Sequence, residues 1–332
     1  MAMATRLGWF AAGLVAGLSI YHLAAGVPRA APPVAAQGVF KAATAVPQSA
    51  PLASHEVTEL NSEQTESVTV GAATESAELM DIRLHLEAPS QLPYAGLQKY
   101  HPGSGSYNSQ AGQDRWVDAV LQRGTKLFVI ESGALDGISH SNSIFFETER
   151  QWDCLLVEAN PKLWPDVRSR NRKCHFLAAG LSMTGTCGSF PFKLAGPLGG
   201  FTETMNQDHV NRANHEIKQK MRWMRGEMGS GDVINVTACP LHQVLKVLNR
   251  NTVDYWSLDT EGSELAILKG SGIENFELGI LTIEHNNEAA KREGIVAFLK
   301  TLGIKRVVAG AQDDYFANPA YFQKRGLPFP KS

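Results

Sequence analysis

Short apolar runs alternate with amphipathic segments from about residue 110 to residue 316 of this chain. Five runs have the length of strands and the unbroken hydrophobic character of a parallel sheet buried on both faces. These runs are Leu127–Ile130, Cys154–Val157, Cys174–Ala178, Tyr255–Leu258 and Leu278–Ile283. Between and around them, segments such as Gln110–Leu121 and Ala289–Leu302 have helical spacing, and Ile304–Val308 with Tyr315–Phe316 predicts a terminal antiparallel hairpin. The pattern predicts an α/β fold with a doubly wound, mostly parallel sheet.

The most apolar segment, Gly8–Val27, lies outside this alternation. As a helix its roughly 20 residues would span roughly 30 Å, the thickness of a hydrocarbon core. Arg6 precedes it and acids follow well after it, which favours a cytosolic N-terminus with the rest across the membrane. We interpret residues 1–27 as an uncleaved anchor. The alternative is a cleaved signal peptide, because Val34–Ala36 has the small residues of a cleavage site.

Residues 28–93 have the composition of a disordered stem. They are rich in Ala, Pro, Ser, Thr and Glu and poor in aromatic residues, and acids outnumber bases. Low hydrophobicity with like charges cannot offset the entropy of ordering the chain. A short helix near Glu75–Leu86 is the one element that we consider here. We place the folded domain at residues 94–332.

Charge and cysteine content exclude some classes of protein. The net charge of −2 argues against a nucleic-acid partner, which needs a basic surface. The four cysteines, Cys154, Cys174, Cys187 and Cys239, form no C-x-x-C pair, so we expect no zinc. They could form up to two disulfides in a lumenal domain, with a pairing that the sequence does not fix. We interpret them as free thiols, since Cys154 and Cys174 lie in apolar runs.

The turn after the first predicted strand carries a chemical signal. Glu131 ends the strand, and Gly133 and Gly137 follow in the pattern E-x-G-x-x-x-G. A dinucleotide fold instead uses G-x-G-x-x-G, which seats a pyrophosphate at a helix N-terminus. A carboxylate here would repel phosphate and attract ammonium or sulfonium. S-adenosylmethionine therefore fits this turn better than NAD. The alternative is that the glycines only form a tight turn and that Glu131 is solvated.

Further acids follow the later strands. Glu158 lies 21 residues after Gly137, where an acid accepts hydrogen bonds from both ribose hydroxyls. The turn at Ala179 and Gly180, after the third strand, would lie against the adenine. Acids at the end of a strand are costly unless they bind something. Those after the fourth and fifth strands are Asp259, Glu261, Glu264 and Glu284.

Residues 185–231 interrupt the alternation. Ser189–Lys193 predicts a strand, and Asn206–Met228 predicts a basic helix with an apolar stripe. The helix could be a lid over an acceptor or a partner surface. We favour an insertion helix packed on the domain, with its basic face in water. Asn235-Val236-Thr237 is a glycosylation sequon, usable if it is lumenal and exposed.

Taken in order, four motifs resemble the FkbM-type methyltransferases. They are Glu131–Gly137, Glu158-Ala159-Asn160-Pro161, Leu258-Asp259-Thr260-Glu261-Gly262-Ser263-Glu264 and Ile283-Glu284-His285. The resemblance covers roughly Ser109 to Phe316, and one departure is Glu131, where the family usually has Asp. It implies a class I, Rossmann-like fold that uses S-adenosylmethionine, usually on hydroxyls of sugars or natural products. The cofactor contacts that it implies are Glu131, Gly133, Ala134, Gly137, Glu158, Ala159 and Ala179.

The membrane segment and stem also resemble the animal Star-type members, which are linked to secretory trafficking. We expect a single-pass membrane protein of the Golgi or endoplasmic reticulum with a lumenal catalytic domain, or a secreted protein if the segment is cleaved. The expected reaction is O-methylation of a hydroxyl on a glycan or small molecule. The alternative is a non-catalytic membrane adaptor, which would have lost the cofactor residues that this chain retains.

A hydroxyl acceptor must lose a proton during methyl transfer, so a base helps. Asp259 and His285 are the predicted catalytic residues, with His140 as a further candidate, and Asp259 could instead only orient a ligand. Asp259, Glu261 and Glu284 offer the oxygens that a divalent cation takes. Helix capping and cofactor contacts explain these acids as simply, and we predict no metal.

Overall fold

The computed structural model describes residues 79, 81–97, 100, 103–218 and 229–331. The predicted anchor and most of the predicted stem lie outside these residues, as does most of the second half of the predicted helix Asn206–Met228. Among the helices that are described, none is long and apolar enough to cross a bilayer.

The described residues form twelve strands and a set of short helices. The strands are β1 (Leu86–Glu87), β2 (Phe128–Ser132), β3 (Asp153–Val157), β4 (His175–Leu177), β5 (Gly180–Leu181), β6 (Gly188–Lys193), β7 (Gly200–Phe201), β8 (Val233–Cys239), β9 (Thr252–Leu258), β10 (Glu277–Glu284), β11 (Lys305–Ala309) and β12 (Asp313–Ala317). The helices that follow β1 are α1 (Gln113–Val120), α2 (Ile144–Arg150), α3 (Trp164–Ser169), α4 (Gln207–Lys218), α5 (Leu241–Val247), α6 (Glu264–Gly270), α7 (Ala289–Thr301) and α8 (Pro319–Lys324), with 3-10 turns at Gly196–Leu198 and Ile273–Asn275.

Eight strands form one sheet in the order β1-β4-β3-β2-β9-β10-β12-β11. The run from β4 to β10 is parallel, whereas β12 lies antiparallel between β10 and β11. The predicted α/β fold with a large, mostly parallel sheet and a terminal antiparallel hairpin is therefore confirmed. The chain moves outward from β2 to β4 and returns on the other side at β9. This reversal is the switch point where open α/β sheets bind ligands.

Strand β2 is apolar because the sheet is covered on both faces. All five of its residues are buried. Phe128 and Ile130 join a core that includes residues of α5, α6 and α7, whereas Val129 joins Phe145 and Phe146 of α2 in a second core. Because β2 is held between two packed layers, Glu131 near its end has a fixed position.

Ordered structure begins before residue 94, where the sequence places the start of the folded domain. Residues 81–85 are helical, Ile82 is fully buried in the core, and Leu86 pairs with Leu177 at the edge of the main sheet. The last part of the predicted stem therefore belongs to the folded unit. Composition does not reveal this, because a few apolar contacts anchor an otherwise polar stretch.

A small second sheet has the order β5-β8-β6-β7. Strand β6 corresponds to the strand predicted at Ser189–Lys193, whereas the sequence pattern did not predict β8. Phe192, Phe201 and Val236 pack together in an apolar cluster on one face of this sheet.

The four cysteines form two disulfide bonds, so the interpretation as free thiols is wrong. Cys154 of β3 is bonded to Cys174 just before β4, and Cys187 is bonded to Cys239 at the end of β8. Each bond joins neighbouring strands of one sheet. The apolar pattern could not reveal the pairing, because strand order and register decide which cysteines become neighbours.

Candidate active site

A cleft opens at the carboxyl ends of β2, β3 and β9, where the strand order reverses. The small sheet contributes the aromatic rings of Phe192 and Phe201 to its wall. The cavity volume of the cleft is about 170 Å³, and further space lies in its mouth, which is open to solvent. Its charged lining residues, within the part of the chain that is described, are Glu131, Glu158, Asp259 and Glu261.

Glu131 lies at the base of the cleft and is 4% exposed. Its carboxylate accepts hydrogen bonds from Ser141 Oγ at 2.7 Å, Ser143 Oγ at 2.5 Å and the Asn142 amide at 2.7 Å. Burial raises the pKa of this carboxyl, and the positive charge of Arg172 opposes the rise. A carboxylate has about four acceptor positions, so one remains on Oε1 for a ligand.

Arg172 stabilises the residues around Glu131. Arg172 as a whole is 4% exposed, and its guanidinium donates to Ser143 Oγ at 2.9 Å and to the Gly137 carbonyl and pairs with Glu147. Arg172 therefore fixes the glycine turn and the start of α2, and it places a positive charge near Glu131.

Glycine is required at positions 133 and 137 of the turn for different structural reasons. Gly133 has a φ of +90°, and a Cβ there would lie 1.9 Å from the carbonyl oxygen of Asp259. The backbone of Gly133 therefore lies in close contact with the loop that follows β9. Gly137 has a φ of +80°, which favours glycine. The amides of Gly133 and Ala134 both donate to the Val157 carbonyl at 3.0 Å, which ties the turn to β3.

Glu158 follows β3 and lines the same cleft as Glu131. Its Oε2 accepts a hydrogen bond from the Leu135 amide and its Oε1 accepts one from the Asn160 amide, both at 2.8 Å. Burial raises its pKa to about 7. Each oxygen retains an acceptor position, which fits a pair of neighbouring hydroxyl groups. Gly180 and Leu181 of β5 line the cleft, next to the predicted adenine contact at Ala179.

Three carboxyl groups, those of Asp259, Glu261 and Glu284, have oxygens within 4.8 Å of one another. Burial, with the neighbouring carboxyl groups adding to it, raises the pKa of Glu261 to about 8 and of Glu284 to about 12. Burial also raises the pKa of Asp259 to about 6, although its hydrogen bond with Glu284 opposes the rise. Of the three carboxyl groups, Glu284 therefore favours its protonated form most strongly. Of the three, Asp259 and Glu261 line the cleft.

Glu264, the fourth acid of this region, has a structural role. It is fully buried, accepts hydrogen bonds from the amides of Thr260 and Gly262, and pairs with Lys291 at 3.0 Å. It therefore holds the loop that presents Asp259 and Glu261 to the cleft.

The predicted base His285 lies away from the cleft, whereas His209, which was not predicted, lies near one of the cleft acids. His285 is fully buried away from the cleft lining, where its Nδ1 accepts from the Asn287 amide and its Nε2 lies 3.7 Å from Asp314. His209 of α4 instead has its Nδ1 3.6 Å from Glu261 Oε2. Its Nε2 lies 2.9 Å from the Leu198 carbonyl, so Nε2 carries the proton and Nδ1 faces Glu261 with its lone pair. Burial lowers the pKa of His209, which favours this neutral form.

Residues 131–306 match the family model of the methyltransferase FkbM domain. This match covers more than half of the 332 residues and includes all four of the sequence motifs. The chain belongs to the FkbM methyltransferase family. No curated protein sequence matches this FkbM-family chain significantly.

Solved methyltransferase structures resemble the FkbM-family chain only weakly. The METTL16 MTase domain is 14% identical with a TM-score of 0.31, covering 78% of this chain and 81% of that one. A precorrin-6y C5,15-methyltransferase from Geobacter metallireducens GS-15 is 12% identical with a TM-score of 0.32, covering 68% and 97%. The human methyltransferase 10 domain containing protein is 11% identical with a TM-score of 0.30, covering 77% and 97%. Scores this low carry no argument, so the assignment rests on the family match.

The structure brings several of the predicted site residues of this FkbM-family chain together and leaves others apart. The predicted residues on the cleft lining are Glu131, Gly133, Glu158, Ala159, Asp259 and the further candidate His140. The predicted residues outside the lining are Ala134, Gly137, Ala179 and His285. Sequence reasoning missed Leu135, His209 and Arg172, because their roles depend on contacts with residues that are distant in the sequence.

Proposed function

We propose that this FkbM-family protein is an S-adenosylmethionine-dependent O-methyltransferase for a neutral hydroxyl compound, such as a sugar, in the secretory pathway. The observation that carries the proposal is that Glu131 and Glu158 open into one cleft at the switch point of the sheet. Among the described residues, this cleft is lined by carboxyl groups and by no lysine or arginine. Such a lining disfavours phosphate-bearing cofactors and anionic acceptors.

The residues of the cleft fit the parts of S-adenosylmethionine. The free acceptor position of Glu131 suits the ammonium group, and the two free positions of Glu158 suit the ribose hydroxyls. Gly180 and Leu181, with the aromatic rings of the small sheet, offer an apolar wall for the adenine. When bound, the cofactor supplies an electrophilic methyl group.

Asp259 and Glu261, the other acids of the cleft, are suited to act on the hydroxyl group that accepts the methyl group. A hydroxyl becomes a better nucleophile as its proton is removed, so a carboxylate or imidazole within hydrogen-bond reach assists the attack. Asp259 remains the first candidate, with a pKa that burial raises to about 6. Glu261, with His209 behind it, is a second proton acceptor that the structure adds. Holding the acceptor in line with the methyl group supplies much of the remaining acceleration.

The disulfides support a compartment for this reaction. Both cysteine pairs are bonded, and disulfides persist in the endoplasmic reticulum, at the cell surface and outside the cell rather than in the cytosol. Together with the apolar segment Gly8–Val27, they support a lumenal catalytic domain in the Golgi or endoplasmic reticulum, or a secreted form. A non-catalytic adaptor remains the alternative function.

Calorimetry with S-adenosylmethionine tests the proposal directly. The wild-type protein should bind, and Glu158→Gln should lose roughly 10- to 100-fold in affinity, because hydrogen bonds to a charged group contribute about 1.5–3 kcal/mol. Glu274→Gln, an exposed glutamate in a 3-10 turn, is the matched control and should bind like wild type. Labelled-methyl transfer to a panel of glycans and cell extracts then identifies the acceptor. Folded wild-type protein that takes up no cofactor favours the adaptor.

A further inference from the structure

The glycosylation sequon lies on an accessible strand of the small sheet. Asn235 is exposed and occupies the middle of β8. It pairs with Pro191 of β6 on one side, whereas β5 reaches only Ala238 and Cys239 on the other. The edge of β8 beside Asn235 is therefore open among the described residues.

The register of β6 and β8 decides which way Asn235 points. Residues directly opposite each other in an antiparallel pair lie on the same face of the sheet. Phe192 lies opposite Ile234, and both belong to the apolar cluster under the small sheet. Asn235 is one residue further along, so its side chain lies on the other face, away from the ring of Phe192 that lines the cleft.

The cysteines supply an independent observation. A chain whose four cysteines are all bonded in pairs folds in a compartment that permits disulfides. In eukaryotes the endoplasmic reticulum is both oxidising and the place where Asn-x-Ser/Thr sequons are glycosylated. Cys239, which forms one of these bonds, lies in the same strand as the sequon.

We propose that Asn235 is an N-glycosylated residue and that its glycan stands on the face of the small sheet away from the cleft. The co-reactant is an oligosaccharide linked to a lipid diphosphate. The Asn235 amide nitrogen forms a bond to the anomeric carbon and loses one proton. The bond from that carbon to the diphosphate oxygen breaks, and the lipid diphosphate leaves with its electron pair. The full sequence contains no other N-x-S/T sequon with a non-proline middle residue.

Expression of the full chain in a eukaryotic secretory cell tests this assignment. Mass spectrometry should find one N-linked glycan, and release by a peptide N-glycosidase should leave aspartate at position 235. Asn235→Gln and Thr237→Ala should abolish the glycan, whereas Thr237→Ser, which keeps the sequon, should retain it. Because the side chain points away from the cleft, Asn235→Gln should bind S-adenosylmethionine with the affinity of the glycosylated protein.

Wild-type chain that leaves these cells without a glycan would overturn the assignment. A glycan that persists in Thr237→Ala would overturn it as well, because the modification would then not depend on the sequon. Counting disulfides by mass in each variant shows that folding is intact. The result is independent of the proposed catalysis, since a glycosylated protein that binds no cofactor would refute only the methyltransferase.

Discussion

Arg172 supports the acid that we expect to bind the cofactor, although its surroundings in the sequence give no sign of this. It pairs with Glu147, donates to Ser143 and the Gly137 carbonyl, and opposes the rise in the pKa of Glu131. A buried cation next to a buried carboxyl favours the ionised form of that carboxyl. Arg172 is therefore a positioning residue that acts through Glu131.

We predict that Arg172→Met weakens S-adenosylmethionine binding at least tenfold at neutral pH. Without the guanidinium, burial raises the pKa of Glu131 further, so the loss should grow as the pH falls. Methylthioadenosine, which lacks the ammonium group, should bind within about twofold of wild type. Calorimetry with both ligands measures this, and Arg306→Met on the terminal hairpin is the control. Equal weakening of both ligands would mean that Arg172 acts only through the fold.

Glu158 should give the cofactor site a pH dependence near neutrality. Its pKa is raised to about 7 by burial, and only the ionised form offers both oxygens to the ribose hydroxyls. Affinity for S-adenosylmethionine should therefore fall as the pH drops through about 7 and level off above it. Glu158→Gln should remove this titration. Calorimetry from about pH 6 to about pH 8 measures it, and an unchanged pH profile in the variant would contradict the assignment.

At the scale of elements, α4 brings a histidine to the loop that follows β9. His209 lies 3.6 Å from Glu261, and its other nitrogen is fixed by the Leu198 carbonyl. The helix was predicted as a packed insertion, with a lid as the alternative. Its first turn approaches Glu261 through His209, whereas the end of the predicted helix lies outside the described residues.

If Glu261 and His209 together take up the proton of the substrate hydroxyl, Glu261→Gln and His209→Gln should each lower kcat for methyl transfer by roughly 10²–10⁴-fold. Cofactor affinity should change little, because neither residue meets the ammonium or the ribose. In wild type, kcat should rise with pH through about 8, the raised pKa of Glu261. His285→Asn, outside the cleft, is the comparison. Glu261→Gln with wild-type kcat and an unaltered pH profile would leave Asp259 as the base.

The disulfide between β3 and β4 stabilises the strands that carry Glu158. Its cysteines are 20 residues apart, and closing a loop of that size lowers the entropy of the unfolded chain. Replacing Cys154 and Cys174 by alanine should lower the free energy of unfolding by about 3 kcal/mol. Urea denaturation measures the shift in midpoint. Replacing Cys187 and Cys239 by alanine should lower the free energy of unfolding by more, because these cysteines are 52 residues apart. A larger loss from the Cys154 and Cys174 variant would contradict the loop-entropy argument.

At the scale of the whole molecule, charge is distributed unevenly. The chain has a net charge of only −2, whereas the charged residues that line the described cleft are all acids. The cleft should therefore discriminate against anionic acceptors. We predict that a phosphorylated or sulfated form of any accepted sugar is methylated at least tenfold more slowly, as kcat/KM, than the neutral form. Added salt should reduce this difference by screening, and equal rates would contradict it.

The apolar pattern determined the main sheet and the position of its acids. Runs such as Leu127–Ile130 have to be buried, and a parallel sheet aligns their carboxyl ends at one edge. Glu131, Glu158 and Asp259 were therefore found together at that edge.

Only the tertiary structure decided what depends on register and packing. Gly133 is required by the carbonyl of Asp259, 126 residues away in sequence, and His209 reaches Glu261 from an inserted helix. The disulfides joined cysteines that looked like core residues, and Arg172 became the partner of the turn around Glu131. A local pattern reports which residues are buried or turn the chain. It does not report which distant side chain meets them, because strand order and packing set that contact.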